Sequence, residues 1–251
     1  MKIIYLIILT FTFLNPVWGN EAETLINEGN KLYQEKNYEG AIEKYNAVLQ
    51  ADYESPALYY NLGNAYYRLG KIGKAILNYE RGLKLAPDNE DLLYNLKVVK
   101  ARTVDRIREV PKLFIVEWWE ILITALSTTT WQIIVLLFYL IFIVSVTLYF
   151  VTKSGSVQRM TIYTALTGLI AAIFFSIILF ANVHRETSSN FAIIVSPTVS
   201  AKQSPNETSN DRFVIHEGLK VDVREDFGQW YKIKLSDGKV GWVPKNSLEV
   251  I

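Results

Sequence analysis

The stretch "NLGNAYYRLG" at Asn61–Gly70 decides how the chain is read, because it places two glycines among strong helix formers. Each glycine costs a helix interior about 1 kcal/mol relative to alanine, so each asks for a reason. The informative match lies 34 residues upstream, in "NEGNKLYQEK" (Asn27–Lys36), where Gly29 corresponds to Gly63, Asn30 to Asn64 and Tyr33 to Tyr67. At the same offset Ala41 corresponds to Ala75, Ile42 to Ile76, Tyr45 to Tyr79 and Leu49 to Leu83, with no gap. A fixed period of this length marks a stacked helix-turn-helix array, in which no unit buries its apolar face alone. Gly29, Gly63, Ala41 and Ala75 then let the two helices of a unit approach closely, and Tyr45 and Tyr79 are expected to pack toward the next helix pair.

These residues resemble the tetratricopeptide repeat (TPR). "LYYNLGNAYYRLGKIGKAILNYERGLKLAPDN" carries the family pattern at Tyr59, Leu62, Gly63, Tyr66, Ala75, Tyr79 and Pro87. The upstream unit departs from it, with Leu25, Glu28, Leu32 and Tyr53 at four pattern positions. The resemblance implies a TPR domain over 20–110, with repeats at 22–55 and 56–89 and a capping helix at 90–110. In that helix Leu93, Asn95 and Leu96 align with Tyr59, Asn61 and Leu62, and no helix partner follows before Pro111. In this family the inner face of the first helices binds extended peptides or partner helices. The matching positions are Ile26, Asn27, Asn30, Tyr33, Tyr60, Asn61, Asn64, Tyr67, Tyr94 and Asn95. Their amides offer a peptide backbone both donor and acceptor, and on that reading Asn64 is dispensable to the fold. The alternative is that these asparagines are framework. Ile26 and Asp91 replace the basic residues by which relatives clamp a terminal carboxylate, which argues against a chaperone-tail ligand.

The 251 residues are half hydrophobic, with 26 Lys and Arg against 25 Asp and Glu, and no cysteine. That balance gives no electrostatic ground for a nucleic-acid partner. The absence of cysteine excludes disulfides, thiol catalysis and thiolate metal sites. The apolar excess sits in three blocks. Residues 1–19, "MKIIYLIILTFTFLNPVWG", suit a secretory signal cleaved after Gly19, an uncleaved anchor being the alternative. Residues 131–152 and 160–183 carry no charge and are long enough to cross a bilayer, so two transmembrane helices are expected. The loop 153–159 holds Lys153 and Arg159 and no acid, which places it in the cytoplasm. The expected protein is therefore a multi-pass inner-membrane protein with both flanking segments in the periplasm. Lys97, Lys100, Arg102, Arg106, Arg108 and Lys112 lie on the outer side in this topology and run mildly against it. Over 111–130, Phe114 and Trp118 share a stripe with Ile121 or Leu122, which predicts an interfacial amphipathic helix. An extension of the first span is the alternative.

Residues 190–251 read as six short strands, "FAIIV", "TVSAK", "RFVIH", "LKVDVRE", "WYKIKL" and "GKVGWV", with Ser236-Asp237-Gly238 as a hairpin turn. The segment resembles a bacterial SH3-like domain through "GQWYKIKLSDGKVGWVPKNSLEVI". That resemblance implies a small all-β barrel, with Trp230 and Pro244 as candidate binding residues and Trp242 in the core. Ser247 stands where a groove tyrosine is expected, which argues against polyproline recognition. A different peptide, a cell-wall stem peptide or no ligand remain open.

No constellation for catalysis appears, and no cofactor or metal is expected. "GKIGKA" at Gly70–Ala75 lacks the first glycine and the hydroxyl residue of a phosphate loop. His184 and His216 have no partner at a spacing that suggests a metal or nucleophile. The fold class is multi-domain: an α-helical TPR solenoid, two transmembrane helices and a small SH3-like barrel. This module order resembles the BatE-type membrane proteins of the Bacteroides aerotolerance (Bat) group. The resemblance implies a non-enzymatic scaffold working with von Willebrand-factor-A-domain membrane proteins and a MoxR-type ATPase in aerotolerance or envelope stress. The competing reading is a peptidoglycan-binding module that recruits an envelope enzyme.

Overall fold

The computed structural model describes residues 18–107, 111, 113–188 and 190–251. The signal segment expected over 1–19 lies, up to residue 17, outside the described residues. The chain forms two compact units, one built from the segments on either side of residues 110–189 and the other from those residues themselves.

The first unit begins with five helices: α1 (Trp18–Gln34), α2 (Tyr38–Gln50), α3 (Pro56–Arg68), α4 (Ile72–Leu85) and α5 (Glu90–Lys100). Their starts follow capping chemistry. Asn37, Ser55 and Asn89 accept from the backbone N–H three residues on, and Pro56 opens α3 where no N–H is needed. At the start of α4 Lys71 supplies no side-chain cap. The two glycines of the opening stretch have different reasons. A Cβ at Gly29 would stand 2.5 Å from Tyr45 Cε1, and one at Gly63 would meet the Tyr79 ring as closely. Each tyrosine thus lies across the glycine of its own repeat, a tighter role than packing toward the next pair. Gly70 faces open space with φ +72°, the left-handed turn that ends α3, and Lys36 holds the same turn at the matching place with φ 63°. The expected capping helix over 90–110 ends at Lys100, because Ala101–Ile107 leave the helix to meet the C-terminal segment.

That segment has seven strands, one more than expected: β1 (Phe191–Ile194), β2 (Thr198–Lys202), β3 (Asp211–His216), β4 (Lys220–Phe227), β5 (Trp230–Lys234), β6 (Val240–Pro244) and β7 (Leu248–Val250). They form one antiparallel sheet in the order β3-β2-β6-β5-β4-β1-β7. All seven strands send side chains into one core, among them Ala192, Ile194, Ala201, Ile215, Val221, Ile233, Val243 and Leu248. Strands are about 4.8 Å apart, so end strands of a flat seven-stranded sheet could not share a core; the sheet must curl. Gly238, with φ +88°, closes the predicted β5–β6 hairpin.

Strand β1 belongs to two cores. Ala192 and Ile194 enter the sheet, whereas the fully buried Ile193 joins Ala75, Ile76, Tyr79, Leu92, Leu96 and Val99 of the helices. Polar groups reinforce the joint. Glu217 Oε2 accepts from the Gly73 N–H at 2.9 Å, supplying the cap that α4 lacks. Arg81 and Lys84 donate to the carbonyls of Val250 and Ile251. Asp105 accepts from the His216 N–H at 2.6 Å and faces its ring nitrogen Nδ1 at 2.9 Å. Buried Glu80 takes Lys100 on one oxygen and Lys220 on the other, each at 2.7 Å. Burial opposes its ionisation, but the two ammonium groups outweigh that cost and hold the carboxyl below its ordinary range. Helices and sheet, read from sequence as separate modules, make one body.

The second unit holds α6 (Phe114–Thr124), α7 (Thr128–Val151) and α8 (Gly155–Ser188). Stretches of α7 and α8 are long and apolar enough to cross a membrane, with mean hydropathy 2.8 and 2.4. The expected boundaries shift. The helix placed over 111–130 is α6 followed by a break at Ala125–Ser127, and Thr128–Thr130 open α7 under the Ser127 cap. The loop 153–159 shrinks to Thr152–Ser154, because Gly155–Arg159 are already helical. Gly168 allows the close approach of α8 to the α7 backbone at Phe142. Thr164 donates to Ser145 across the pair, and Asn182 binds the Ile123 carbonyl at 2.6 Å beside buried Trp131 and Ile178. Of the stripe predicted on α6, Phe114, Trp118, Ile121 and Leu122 are exposed.

Candidate functional site: the inner face of the repeats

The repeat period carries its hydrogen bonds with it. Asn30 Oδ1 accepts from Tyr45 Oη at 2.8 Å and from Asn61 Nδ2 at 3.1 Å. One period on, Asn64 Oδ1 accepts from Tyr79 Oη at 2.7 Å and from Asn95 Nδ2 at 2.9 Å. Each triad ties a first helix to its own second helix and to the first helix of the following unit. Burial pushes the Tyr45 phenol up to about 12 and Tyr79 further, so both remain protonated donors at neutral pH. The carbonyl oxygens of Asn30 and Asn64 are therefore framework, and the expectation that Asn64 is dispensable to the fold is corrected.

The inner face still has open polar groups. Two adjoining depressions of about 290 and 300 Å³ share Tyr33 and Asn64. Asn30, Asn61, Gln34 and Tyr45 line the first, and Tyr60, Tyr67, Arg68, Tyr79, Asn95, Val98 and Val99 line the second. The fold thus gathers Asn30, Tyr33, Tyr60, Asn61, Asn64, Tyr67 and Asn95 in one groove. Asn27 and Tyr94 are exposed and outside this lining. Ile26 is half-buried against the core of the first repeat, so it is a packing residue.

The remaining candidates lie on the sheet. Trp230 and Pro244 are cross-strand partners, and Phe227 continues their row on β4. The neighbouring row runs Lys202, Trp242, Lys232 and Glu225. Trp242, expected in the core, is half-buried on the outer face; it is edge-on to Phe227, with Lys232 Nζ 5.7 Å from its ring centre. Strand alternation explains this, because Gly241 and Val243 take the inward positions on β6.

Sequence reasoning missed the joint between helices and sheet. Asp105–His216 and Glu80–Lys220 are separated by 111 and 140 residues, beyond any local spacing rule. It also missed Arg68 and Arg102, which sit one period apart. Arg68 Nε reaches Tyr33 Oη at 3.4 Å, and the Arg102 guanidinium lies 4.8 Å over the Tyr67 ring.

Comparison with known proteins places the repeats in a family. The profile described as "TPR repeat" matches residues 29–70 and the one described as "Tetratricopeptide repeat" matches 56–89, so this chain contains tetratricopeptide repeats. Sperm-associated antigen 1 of Rattus norvegicus is 33% identical over 78 residues, which are 31% of this chain and 9% of that protein. Intraflagellar transport protein 70A of Homo sapiens is 38% identical over 73 residues, 28% of this chain and 11% of its own length. Among solved structures, the first TPR of Spaghetti (RPAP3) bound to HSP90 peptide SRMEEVD matches at 24% identity with a TM-score of 0.21. The match covers 33% of this chain and 92% of that one.

Proposed function

We propose that the protein is a non-enzymatic, membrane-anchored scaffold whose repeat groove holds a segment of a partner protein. The observation that carries this is the groove itself: polar, continuous across α1, α3 and α5, and left open although the sheet has packed against α4. Membrane anchoring draws on α7 and α8. A body assembled from segments before and after these helices needs both on one side of the bilayer, and two crossings satisfy that. Lys153 and Arg159, at and just after the turn between α7 and α8, support a cytoplasmic turn, and with it a periplasmic body and an inner-membrane protein. The curled sheet is read as an SH3-like domain, and the module order as that of a BatE-type protein. On this reading von Willebrand-factor-A-domain membrane proteins of the Bat group, acting with a MoxR-type ATPase, supply the partners. Alkaline phosphatase fused after Ile251 should be active and a fusion at Ser156 inactive; the reverse pattern refutes the placement.

The outer face of the sheet favours a second reading. Phe227, Trp230 and Pro244 make one row of flat apolar groups, with Trp242 beside it among charged residues of the next row, an arrangement of the kind sugar rings stack on, which suits peptidoglycan. Pull-down of the full chain with purified peptidoglycan, lost on Trp242→Ala, would favour it over the scaffold alone.

A further inference from the structure

Resting on the reading that α7 and α8 cross a bilayer, we infer that the strap following α5 is a contact site for anionic phospholipid head groups. The strap, Ala101–Ile107, is the stretch in which the chain leaves the repeats. Its inward residues are all engaged. Thr103 packs against Gly218, where an added Cβ would stand 2.7 Å from Thr103 Cγ2. Asp105, the one acid of the strap, accepts from the His216 N–H and faces the His216 ring, and Ile107 packs on the core of the sheet. Exposure alternates along this segment, so the large side chains left outside are Arg102, Val104 and Arg106.

That row has the composition of a surface that meets a membrane. A guanidinium offers phosphate oxygens a planar fork of donors. Val104, 70% exposed between the two arginines, suits the boundary between head groups and acyl chains. Neither arginine has an acidic partner among the described residues, whereas Lys100 and Lys220 are both spent on Glu80. Arg102 lies 4.8 Å over the Tyr67 ring, which steadies its guanidinium. Two arginines are too few to draw in a distant polyanion, and the flanking segments add nothing. Asn20–Lys112 and His184–Ile251 each balance bases against acids, 14 with 14 and 9 with 9. The partner must therefore be held close by other means, and on the two-span reading the chain itself holds the bilayer close. Arg106 precedes Phe114 by eight residues, a tether of at most about 28 Å when fully stretched. Such a tether gives head groups a high effective concentration at the row, which nucleic acid does not share. Each basic residue at an anionic surface then strengthens contact about fivefold. Basic residues that run against the expected topology thereby gain a use on the outer side.

The test uses the full chain in nanodiscs, of phosphatidylcholine alone or mixed equally with phosphatidylglycerol. The chain has no cysteine, so Val104→Cys gives a single attachment point for an environment-sensitive NBD fluorophore. Its emission should move to the blue and rise at least about twofold in the anionic discs only. Salt at about 1 M, where the screening length is ~3 Å, should abolish that change. Arg102→Gln with Arg106→Gln should lose it. Arg106→Gln alone should weaken it without moving the melting temperature, and Arg106→Lys should keep it. Arg224→Gln, on a residue paired with Asp222 in the sheet, should leave it unchanged. Equal emission in the two lipids, a change that survives high salt, or an undiminished change in the double variant overturns the inference. Inorganic phosphate reproducing the change in phosphatidylcholine discs overturns it in favour of a soluble anion. The same fluorophore on Leu137→Cys, at an exposed position of α7, reports the reading beneath. Apolar emission at that position in both lipids, with no lipid response from the strap, keeps the membrane anchor and removes the head-group contact. Hydrated emission there removes both.

Discussion

Replacing Ile193 by alanine tests whether helices and sheet are one body. Ile193 is fully buried, and its side chain packs among residues of α4 and α5, although its backbone is hydrogen-bonded into the sheet. Loss of a buried isoleucine side chain to alanine costs about 2–5 kcal/mol, the upper end where the surroundings do not collapse. Collapse is hindered here, because the β1 backbone already touches α4: a Cβ at Gly73 would stand 2.6 Å from the Ile194 carbonyl. At about 1.4 kcal/mol per tenfold, amides that exchange through opening of this body should exchange at least ~30-fold faster. Hydrogen–deuterium exchange with mass spectrometry on the full chain in nanodiscs reads this in peptides covering 72–85 and 90–100. Ile193→Val should give a small fraction of the effect, about 0.5–1.5 kcal/mol. Protection of α4 and α5 at wild-type levels, with loosening confined to the strands, would refute the joint as a shared core.

Three further outcomes follow from other contacts. Glu80, ionised between Lys100 and Lys220, has a folded pKa below its unfolded value near 4.5, so its contribution is complete above that pH and is lost as pH falls through the lower folded value. Melting of the full chain should drop over that acid window, and Glu80→Gln should start lower at neutral pH and remove that part of the drop. Gly63→Ala forces a methyl into the Tyr79 ring and should destabilise the repeats by ~1–3 kcal/mol despite alanine's better helix propensity, whereas Gly40→Ala meets only its capping Asn37 side chain and should cost less. Asn64→Ala leaves Tyr79 Oη and Asn95 Nδ2 without their acceptor and should lower stability by ~1–3 kcal/mol, measured by thermal melting; an unchanged melting temperature would return Asn64 to a purely ligand-binding role.

What the sequence made legible was periodic or local. The offset of 34 residues located both repeats, whereas the caps at Asn37, Ser55 and Asn89 were found only in the structure. The groove positions were legible from the same offset, but their use was not. Only the structure shows that the oxygen of Asn64 is claimed by Tyr79 and Asn95 from two other helices. The joint was illegible because its partners are more than 100 residues apart in the chain. One signal for it was nevertheless present. "FAIIV" is a continuous apolar run, whereas a strand with one wet face alternates. An unbroken run of this length fits a strand covered on both faces, and β1 is buried that way. Trp242 failed by the converse error: an aromatic was assigned to the core by type, when inward positions on β6 were already taken by Gly241 and Val243.

The joint also sets an order of assembly. Residues up to Ile107 are made before the hairpin, and those from Asn190 only after it, yet Ile193 completes the core around Ile76, Leu92 and Val99. Until β1 arrives, that apolar surface has no cover and the first turn of α4 lacks the Glu217 cap. The contacts that close the body span 144 residues at Gly73–Glu217 and 169 at Arg81–Val250, so they carry a large loop-closure cost and form late. If α7 and α8 cross a bilayer between these events, their insertion fixes both ends of that loop near one membrane face and shortens the search. On the proposed two-span topology, a chain with one of these helices uninserted would leave residues 190–251 on the wrong side of the bilayer, and the repeats would keep an exposed apolar face open to proteolysis.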